Sequence, residues 1–550
     1  MLTATIVVVC SGLVIFGLAR LRFVRFTQYA HIPGPATSLV WGHLKLIFQL
    51  IRQDPSKHFH VFAEYAIHSL IKRQSDDTGL MLLDLRPAFY PIAVIYSHDL
   101  AEQISKATPQ FKYSVPKAPL QDMIGHVIGR DSFLTNNGEL WRDTRKMFNA
   151  AFAPNHLASF IPPILEKIQV FLRALDANAR SGDEFELGER CTLLTFDVIG
   201  RVILNIDLKT QGKASEQHVV VRCFMELLAN LPTFPQIEWV LSPRKYRRRM
   251  QITQTIESSL ESIIQQKFEK LHGDKAYGDG PATSDRSVLS LALEGVDSLT
   301  PKAIRTSMDS IRTFLFAGYD TTSVLLQWAF YELSRTPRAL AALRDELDRV
   351  LGPNADPSAA ANAIAANEAK LSQLVYLTAV IKETLRLHPP AGTSRFAEPG
   401  SEFHLQTSRG PLRVDGAILY LNHFSIQRDP TVYGESAETW VPERWLQTEG
   451  ASEGFAAGAW RPFERGPRGC IGQELAMLEA RLVLAMAVRR YDFVKVGLGA
   501  TADGDGHGGA RIDENGQYVS SEPLYDTFNL SAKPVDGTRM RVEFRQARVD

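Results

Sequence analysis

Trp460-Arg461-Pro462-Phe463-Glu464-Arg465-Gly466-Pro467-Arg468-Gly469-Cys470-Ile471-Gly472 is the stretch on which the reading of this chain turns. Glycines at 466, 469 and 472 permit tight turns and the close approach of backbone to a large flat ligand. An apolar-periodic helix follows, from about Gly472 to Arg489. Cys470 therefore lies near a helix N-terminus, where free N–H groups and the helix dipole favour a thiolate. A thiolate is a soft, charge-donating ligand suited to iron. Arg468 offers paired donors to a carboxylate. The ordinary fate of an isolated cysteine is burial as a small hydrophobe. The residues around Cys470, and three patterns elsewhere in the chain, decide between the two.

The first pattern lies in a long helix predicted over residues 302–335. Thr300 can cap it, Pro301 suits its first position, and Pro337 marks its end. About 35 residues at ~1.5 Å each give a rod of about 50 Å, enough to cross a whole domain. In its middle, Ala317-Gly318-Tyr319-Asp320-Thr321-Thr322 interrupts an apolar face containing Ile311, Leu315, Phe316 and Leu325. Glycine in a helix interior costs about 1 kcal/mol relative to alanine. An acid and two threonines compound the break, as happens where a site needs polar groups. The second pattern is Glu383 and Arg386. They stand three apart on a helix over residues 370–388 that Pro389-Pro390 closes, so they share a face. Pro442-Glu443-Arg444-Trp445 follows later in the chain. The third is Trp141 and Arg145, at i and i+4, again on one helical face. Alone, each of the last two spacings is common on protein surfaces.

Phe463, Gly466, Arg468, Cys470 and Gly472 reproduce in full the haem-binding signature F-x-x-G-x-R-x-C-x-G, and the chain resembles the cytochromes P450. The resemblance implies a mainly α fold with small β-sheets, and haem b as cofactor with Cys470 as the ligand of its iron. Phe463 and Arg468 would bind the cofactor; Trp141, Arg145 and Arg395 would hold its propionates. Ala317–Thr322 resembles the oxygen-activation segment: Gly318 would leave room for O2, while Asp320 and Thr321 relay protons. Glu383, Arg386 and Arg444 resemble the family's structural triad. Two positions depart from the usual pattern: Trp445 stands where phenylalanine is commoner, and Gln427 where histidine is frequent. The run Cys470–Ala476 looks most like P450s of filamentous fungi, many of which serve secondary metabolism. That implies a monooxygenase. A P450-fold isomerase, dehydratase or peroxide user, or a haem carrier without turnover, are the alternatives. The Asp320-Thr321 pair argues against the former group, whose members often lack it.

The rest of the chain bounds this reading. It has 550 residues, 45% of them apolar, enough for a large core, and no internal repeat. Its 61 basic and 61 acidic residues give zero formal charge, and so no global pull toward nucleic acid. Four scattered cysteines exclude a disulfide or zinc framework and suit a reducing compartment. Residues 2–19 carry no charge and are long enough for a membrane-spanning helix. Arg20, Arg22 and Arg25 follow, which places that side in the cytosol. A cleaved signal peptide would carry its charge before the apolar run. The expected organisation is an anchor over 1–19, a basic and proline-rich joint over 20–35, and a catalytic domain over 36–550. The resemblance adds the endoplasmic reticulum membrane as location, single-pass, with the catalytic domain in the cytosol.

Helical periodicity also marks residues 155–179, 222–230 and 246–271; strands are expected at 80–85, 92–96, 417–421 and 540–544. Residues 273–286, 354–369 and 500–516 read as surface insertions, the second with helical character. The segments at 113–123, 227–237, 311–315, 391–394 and 528–530 are the candidate pocket walls; they are largely apolar and suggest a lipophilic small-molecule substrate such as a terpenoid or polyketide. No flavin or iron–sulfur domain is visible. The resemblance therefore implies electrons from NADPH through NADPH–cytochrome P450 reductase, with cytochrome b5 as an optional second partner.

Overall fold

The computed structural model describes residues 2–53, 63–74, 76–119, 121–231, 238–277, 285–446, 455–456, 458–502, 510–529 and 531–545. Helices dominate and the strands are short, in agreement with the mainly α reading. The chain divides into two compact units, one of residues 1–118, 391–437 and 455–469, the other of residues 119–390, 438–454 and 470–550.

The first unit is built on a four-stranded sheet in the order Leu80–Asp84, Pro91–Ile95, Ile418–Leu421, Thr393–Phe396. The outer pairings are antiparallel and the central one is parallel, with Ile92 opposite Ile418. Leu80, Ala93, Ile95, Leu419 and Leu421 fill one core cluster, while Met81, Leu83 and Val94 fill another. Strand side chains alternate between faces. Because both faces are covered, residues 80–83 of this strand read as an unbroken apolar run and not as an alternating one. Each fully buried aliphatic side chain contributes about 1.5–3 kcal/mol of transfer free energy. The strand Thr393–Phe396 escaped the sequence reading. It is four residues long, follows Pro390, and carries a charge, Arg395, at its centre.

The N-terminal helix forms over Leu2–Phe26. Val8, Leu13, Ile15, Phe16 and Leu18 on it are exposed. The membrane span expected over residues 2–19 is not matched: among the described residues no helix is long and apolar enough to cross a membrane. Met1 and the side chains of residues 2–4 and 7 lie outside the described residues. The helix also runs on through its basic end. There Arg25 is buried, pairs with Asp84 at 2.7 Å and donates to the Val40 carbonyl. The joint after it is docked as well. Tyr29 and Ile32 are core residues, and the Leu82 amide donates to the Pro33 carbonyl at 2.7 Å.

The second unit is organised around the helix Pro301–Arg335, which has the start and stop read from the sequence. The Thr300 hydroxyl accepts from the Ala303 amide, Pro301 takes the first turn, and a new helix begins at Pro337. It is buried along most of its length because it packs against several helices. The main one, Leu187–Leu204, was not read from the sequence. It is buried nearly all round, so its apolar residues show no stripe. Thr195 Oγ1 donates to the Tyr319 carbonyl at 2.7 Å, and Phe196 stacks on Tyr319. A Cβ on Gly318 would lie 2.5 Å from Ile199, so glycine allows this close helix approach.

A three-stranded antiparallel sheet (Phe185–Glu186, Arg539–Phe544, Tyr491–Lys495) and a hairpin (Asp526–Asn529, Ser531–Pro534) complete the unit. Of the expected insertions, residues 354–369 hold the helix Pro357–Ala366, whose N-cap Asp356 accepts from the Ser358 amide. Residues 278–284 and 503–509 of the other two lie outside the described residues.

Candidate functional site

In the second unit Cys470 stands two residues before Gly472, the N-cap of the helix Gln473–Arg490. Gly472 offers no side-chain cap to that end. Cys470 is exposed, whereas Cys191 is buried and burial pushes its thiol far up. A buried cysteine of that kind is inert; an exposed one at a helix head is available as a ligand. Arg145 lies within electrostatic reach. Burial lowers its guanidinium below the usual value and the Cys470 sulfur opposes the shift. Arg145 rides on the helix Gly138–Asn149 one turn after the buried Trp141. Arg142, between them, turns outward to Glu139 and Asp143.

On the long helix the motif residues face different partners. Asp320 is 2% exposed and forms an ion pair with Lys533. The Thr321 hydroxyl donates to the Ala317 carbonyl at 2.8 Å, one turn back. The structure therefore does not join the acid and the alcohol directly.

Glu383, Arg386 and Arg444 do come together. Arg386 donates to both carboxylate oxygens of Glu383 at 2.9 Å, and Arg444 Nε donates to Oε1 at 2.9 Å. The Val441 amide and the Trp445 indole add donors at 2.8 and 2.9 Å. Trp445 thus puts an N–H on Glu383 that phenylalanine would lack. Glu383 and Arg386 are fully buried. Every strong acceptor position of the carboxylate is engaged, which suits a structural role.

In the first unit Arg395 is fully buried in the strand Thr393–Phe396. Its Nε, Nη1 and Nη2 have no hydrogen-bond partner among the described residues. Burial pulls its guanidinium down to about 10; the charge of Glu464 opposes this and that of Arg461 adds to it. Glu464 is itself engaged elsewhere. It accepts from Arg461 Nη2 at 2.5 Å and from the Ser105 hydroxyl at 2.8 Å, and its other oxygen lies 3.4 Å from His423 Nε2. Burial pushes the Glu464 carboxyl up, but the neighbouring His423, then the charges of Arg461 and Arg395, hold it well below the usual range.

Sequence reasoning missed Arg461, Glu464 and His423. The one local signal was an acid set between two arginines in Arg461-Pro462-Phe463-Glu464-Arg465. Gln427 takes part too, its side-chain carbonyl accepting from the Arg461 amide at 2.8 Å. Gly466 has φ +72°, and a Cβ there would meet the Ser105 carbonyl at 2.2 Å, so this glycine of the signature is required by backbone geometry. Phe463 packs edge-on against Trp460, and Arg468 is buried at the end of the short turn Gly466–Arg468. Of the apolar segments read as pocket walls, residues 120, 232–237 and 530 lie outside the described residues. Ile311 and Leu315 are buried on the long helix.

The chain is similar to known proteins. The family model described as Cytochrome P450 matches residues 63–505. The chain is 28% identical to cytochrome P450 monooxygenase acrF of Aspergillus aculeatus, over 90% of this chain and 99% of that one. It is also 28% identical to cytochrome P450 monooxygenase polC of Polytolypa hystricis, over 94% and 91% of the two chains. Among solved structures, that of a cytochrome P450 (CYP102L1) is similar in fold, with a TM-score of 0.69 and 21% identity over 88% of this chain and 99% of the other.

Proposed function

The chain belongs to the cytochrome P450 family of monooxygenases, and from that premise we propose that it inserts one atom of O2 into a lipophilic small molecule of a fungal secondary-metabolite pathway. Its electrons come from NADPH through NADPH–cytochrome P450 reductase, with cytochrome b5 as an optional donor. Relatives named as monooxygenases in two fungi support the reaction class.

The residues present fit haem b. A buried arginine with three nitrogens lacking hydrogen bonds is costly unless an anion meets it, and a propionate is such an anion. Arg395 would therefore hold a propionate. By the family resemblance Trp141 and Arg145 would also serve the propionates, and Cys470 would be the protein ligand of the iron. Arg468 and Phe463 would complete the set. When bound, the cofactor supplies the redox and oxygen-activating chemistry, with a thiolate ligand favouring O–O cleavage.

The chain's own part is to hold, orient and deliver protons. Asp320, a buried carboxylate on the long helix, carries the monooxygenase reading over a non-redox one. Its Oδ atoms can take and release a proton. The Thr321 hydroxyl, anchored through its hydrogen to Ala317, presents lone pairs that can orient a water between the two. Ile311, Phe314 and Leu315 of the same helix are buried. Residues 2–19, with exposed apolar side chains between Val8 and Leu18 and the basic Arg20 and Arg22 behind them, would hold the protein on the endoplasmic reticulum membrane, its body in the cytosol.

The test is the spectrum of the reduced CO complex, then NADPH-dependent oxygen uptake with reductase present. A thiolate-type band with uptake is expected, and Cys470→Ser should abolish the band because a neutral hydroxyl is a poor soft-metal donor. A band that survives in Cys470→Ser, or a wild-type band without any NADPH-dependent uptake, would overturn the reading.

A further inference from the structure

The hairpin Asp526–Asn529/Ser531–Pro534 meets the long helix through a charged contact on a rigid mount. Trp328 Nε1 of the helix donates to the Ala532 carbonyl at 3.2 Å, and the Ala532 amide donates to the Pro390 carbonyl at 2.9 Å. The next residue, Lys533, pairs across the hairpin with Thr527. With its backbone fixed on both sides, Lys533 sends its ammonium to Asp320 Oδ1, an atom with no other partner among the described residues. The same ammonium lies 6.0 Å from the centre of the Tyr319 ring, within cation–π range. The two ends of the pair differ in environment. The Asp320 side chain is 3% exposed and that of Lys533 is 34% exposed. A buried carboxylate is tolerated when a charge-assisted partner meets it. Thr321 cannot be that partner, because its hydroxyl hydrogen goes to Ala317.

We propose that Lys533 is a positioning residue of the proton-delivery site: it fixes the Asp320 carboxylate on the long helix and is the solvent-side partner through which that buried acid communicates with water. The inference rests on the reading of Asp320 as a proton-delivery group. Lys533 acts through Asp320 and not on the substrate. Its geometry requirement is one cationic head at that distance, which arginine also supplies, whereas methionine keeps the chain length and removes the charge.

The experiment uses the full-length, haem-loaded protein with NADPH–cytochrome P450 reductase and no added substrate. Wild type, Lys533→Met, Lys533→Arg, Asp320→Asn and the double variant Lys533→Met/Asp320→Asn are compared by thermal melting, CO spectrum, NADPH consumption and peroxide release. Misplacing a catalytic group by about 1 Å costs up to about a hundredfold, so Lys533→Met should slow NADPH consumption roughly tenfold. Lys533→Arg should restore most of it, and Lys533→Met should add nothing once Asp320→Asn is present. The melting temperatures should show the same non-additivity, a readout independent of turnover. If the two substitutions act independently in both rates and melting, or if Lys533→Met consumes NADPH at the wild-type rate, the positioning role is wrong. If Asp320→Asn itself leaves NADPH consumption unchanged while the melting cycle still shows coupling, the proton-delivery reading fails and the pair is purely structural, which also overturns the inference. Should Lys533→Met yield no CO spectrum, Lys533→Gln in its place keeps the cycle intact.

Discussion

Two buried arginine–glutamate clusters in this molecule look alike in composition and differ in completeness. Around Glu383 every hydrogen-bonding position of the carboxylate is met, by Arg386, Arg444, the Val441 amide and the Trp445 indole. Around Glu464 one carboxylate oxygen is met by Arg461 and Ser105, the other has only His423 Nε2 at 3.4 Å without a hydrogen bond, and Arg395 beside it is left with three nitrogens without hydrogen bonds. The first cluster closes on itself. The second carries a cation beyond what its own acid satisfies, at a depth where an unmatched charge costs several kcal/mol. A closed cluster is architecture; an open one is where, on the function proposed above, an anion would bind.

Breaking the closed cluster should have the largest effect. Glu383→Ala leaves Arg386 and Arg444 without their acid, and removing one partner of a buried pair typically costs about 3–5 kcal/mol. The expected outcome is little or no folded protein, read as loss of the CO spectrum and of a cooperative melt; a variant that melts like wild type would show that the triad is not structural. Arg395→Met attacks the open cluster and should do the reverse to the polypeptide. Without cofactor the variant should be at least as stable as wild type, because an unmatched buried charge is gone, while haem retention falls severalfold on dilution. Apoprotein melting together with haem absorbance after gel filtration separates the two effects. An apoprotein destabilised as strongly as by Glu383→Ala would erase the difference between the clusters.

A pH titration sharpens the contrast. Glu464 titrates well below its ordinary value of about 4.3. A carboxyl depressed in the folded state contributes stability that is fully present above the unfolded-state value and is lost as pH falls through the folded-state value. Melting followed downward from neutral pH should therefore show an acid limb below about pH 4.3 that Glu464→Gln flattens; an unchanged limb would count against the pairing. The smallest effect is expected from Trp445→Phe, which removes one of the donors to Glu383. A single hydrogen bond to a charged group is worth about 1.5–3 kcal/mol at most in such a setting, so a fall of a few degrees in melting temperature with an unchanged CO spectrum is expected. A loss as severe as that of Glu383→Ala would mean that the indole does more than donate one bond.

The legibility of these features in the sequence follows their range along the chain. The long helix announced both its ends, through Thr300, Pro301 and Pro337, because capping is a local matter. Glu383 and Arg386 were readable as a pair because one helical turn puts them together. The Leu187–Leu204 helix was not, since burial on all sides removes the stripe that periodicity detects. The partners of Glu464 were invisible for a different reason: Ser105 stands 359 residues away in sequence, and only folding brings it near. Lys533 has no signal in the sequence, because its partner is set by a hairpin whose position no local pattern records. Gly318 was read as making room for oxygen; its missing Cβ is directed at Ile199, a helix-packing demand that one-dimensional reading assigns to chemistry.

That last contact has a consequence for how the sequence can drift or be redesigned. With a Cβ at position 318 only 2.5 Å from the Ile199 side chain, the two positions form one mutational unit. A library that varies residue 318 alone, with the aim of reshaping the oxygen side of the pocket, samples mostly displaced helices. A library that trims residue 199 to valine or alanine at the same time opens substitutions that the single-site library rejects.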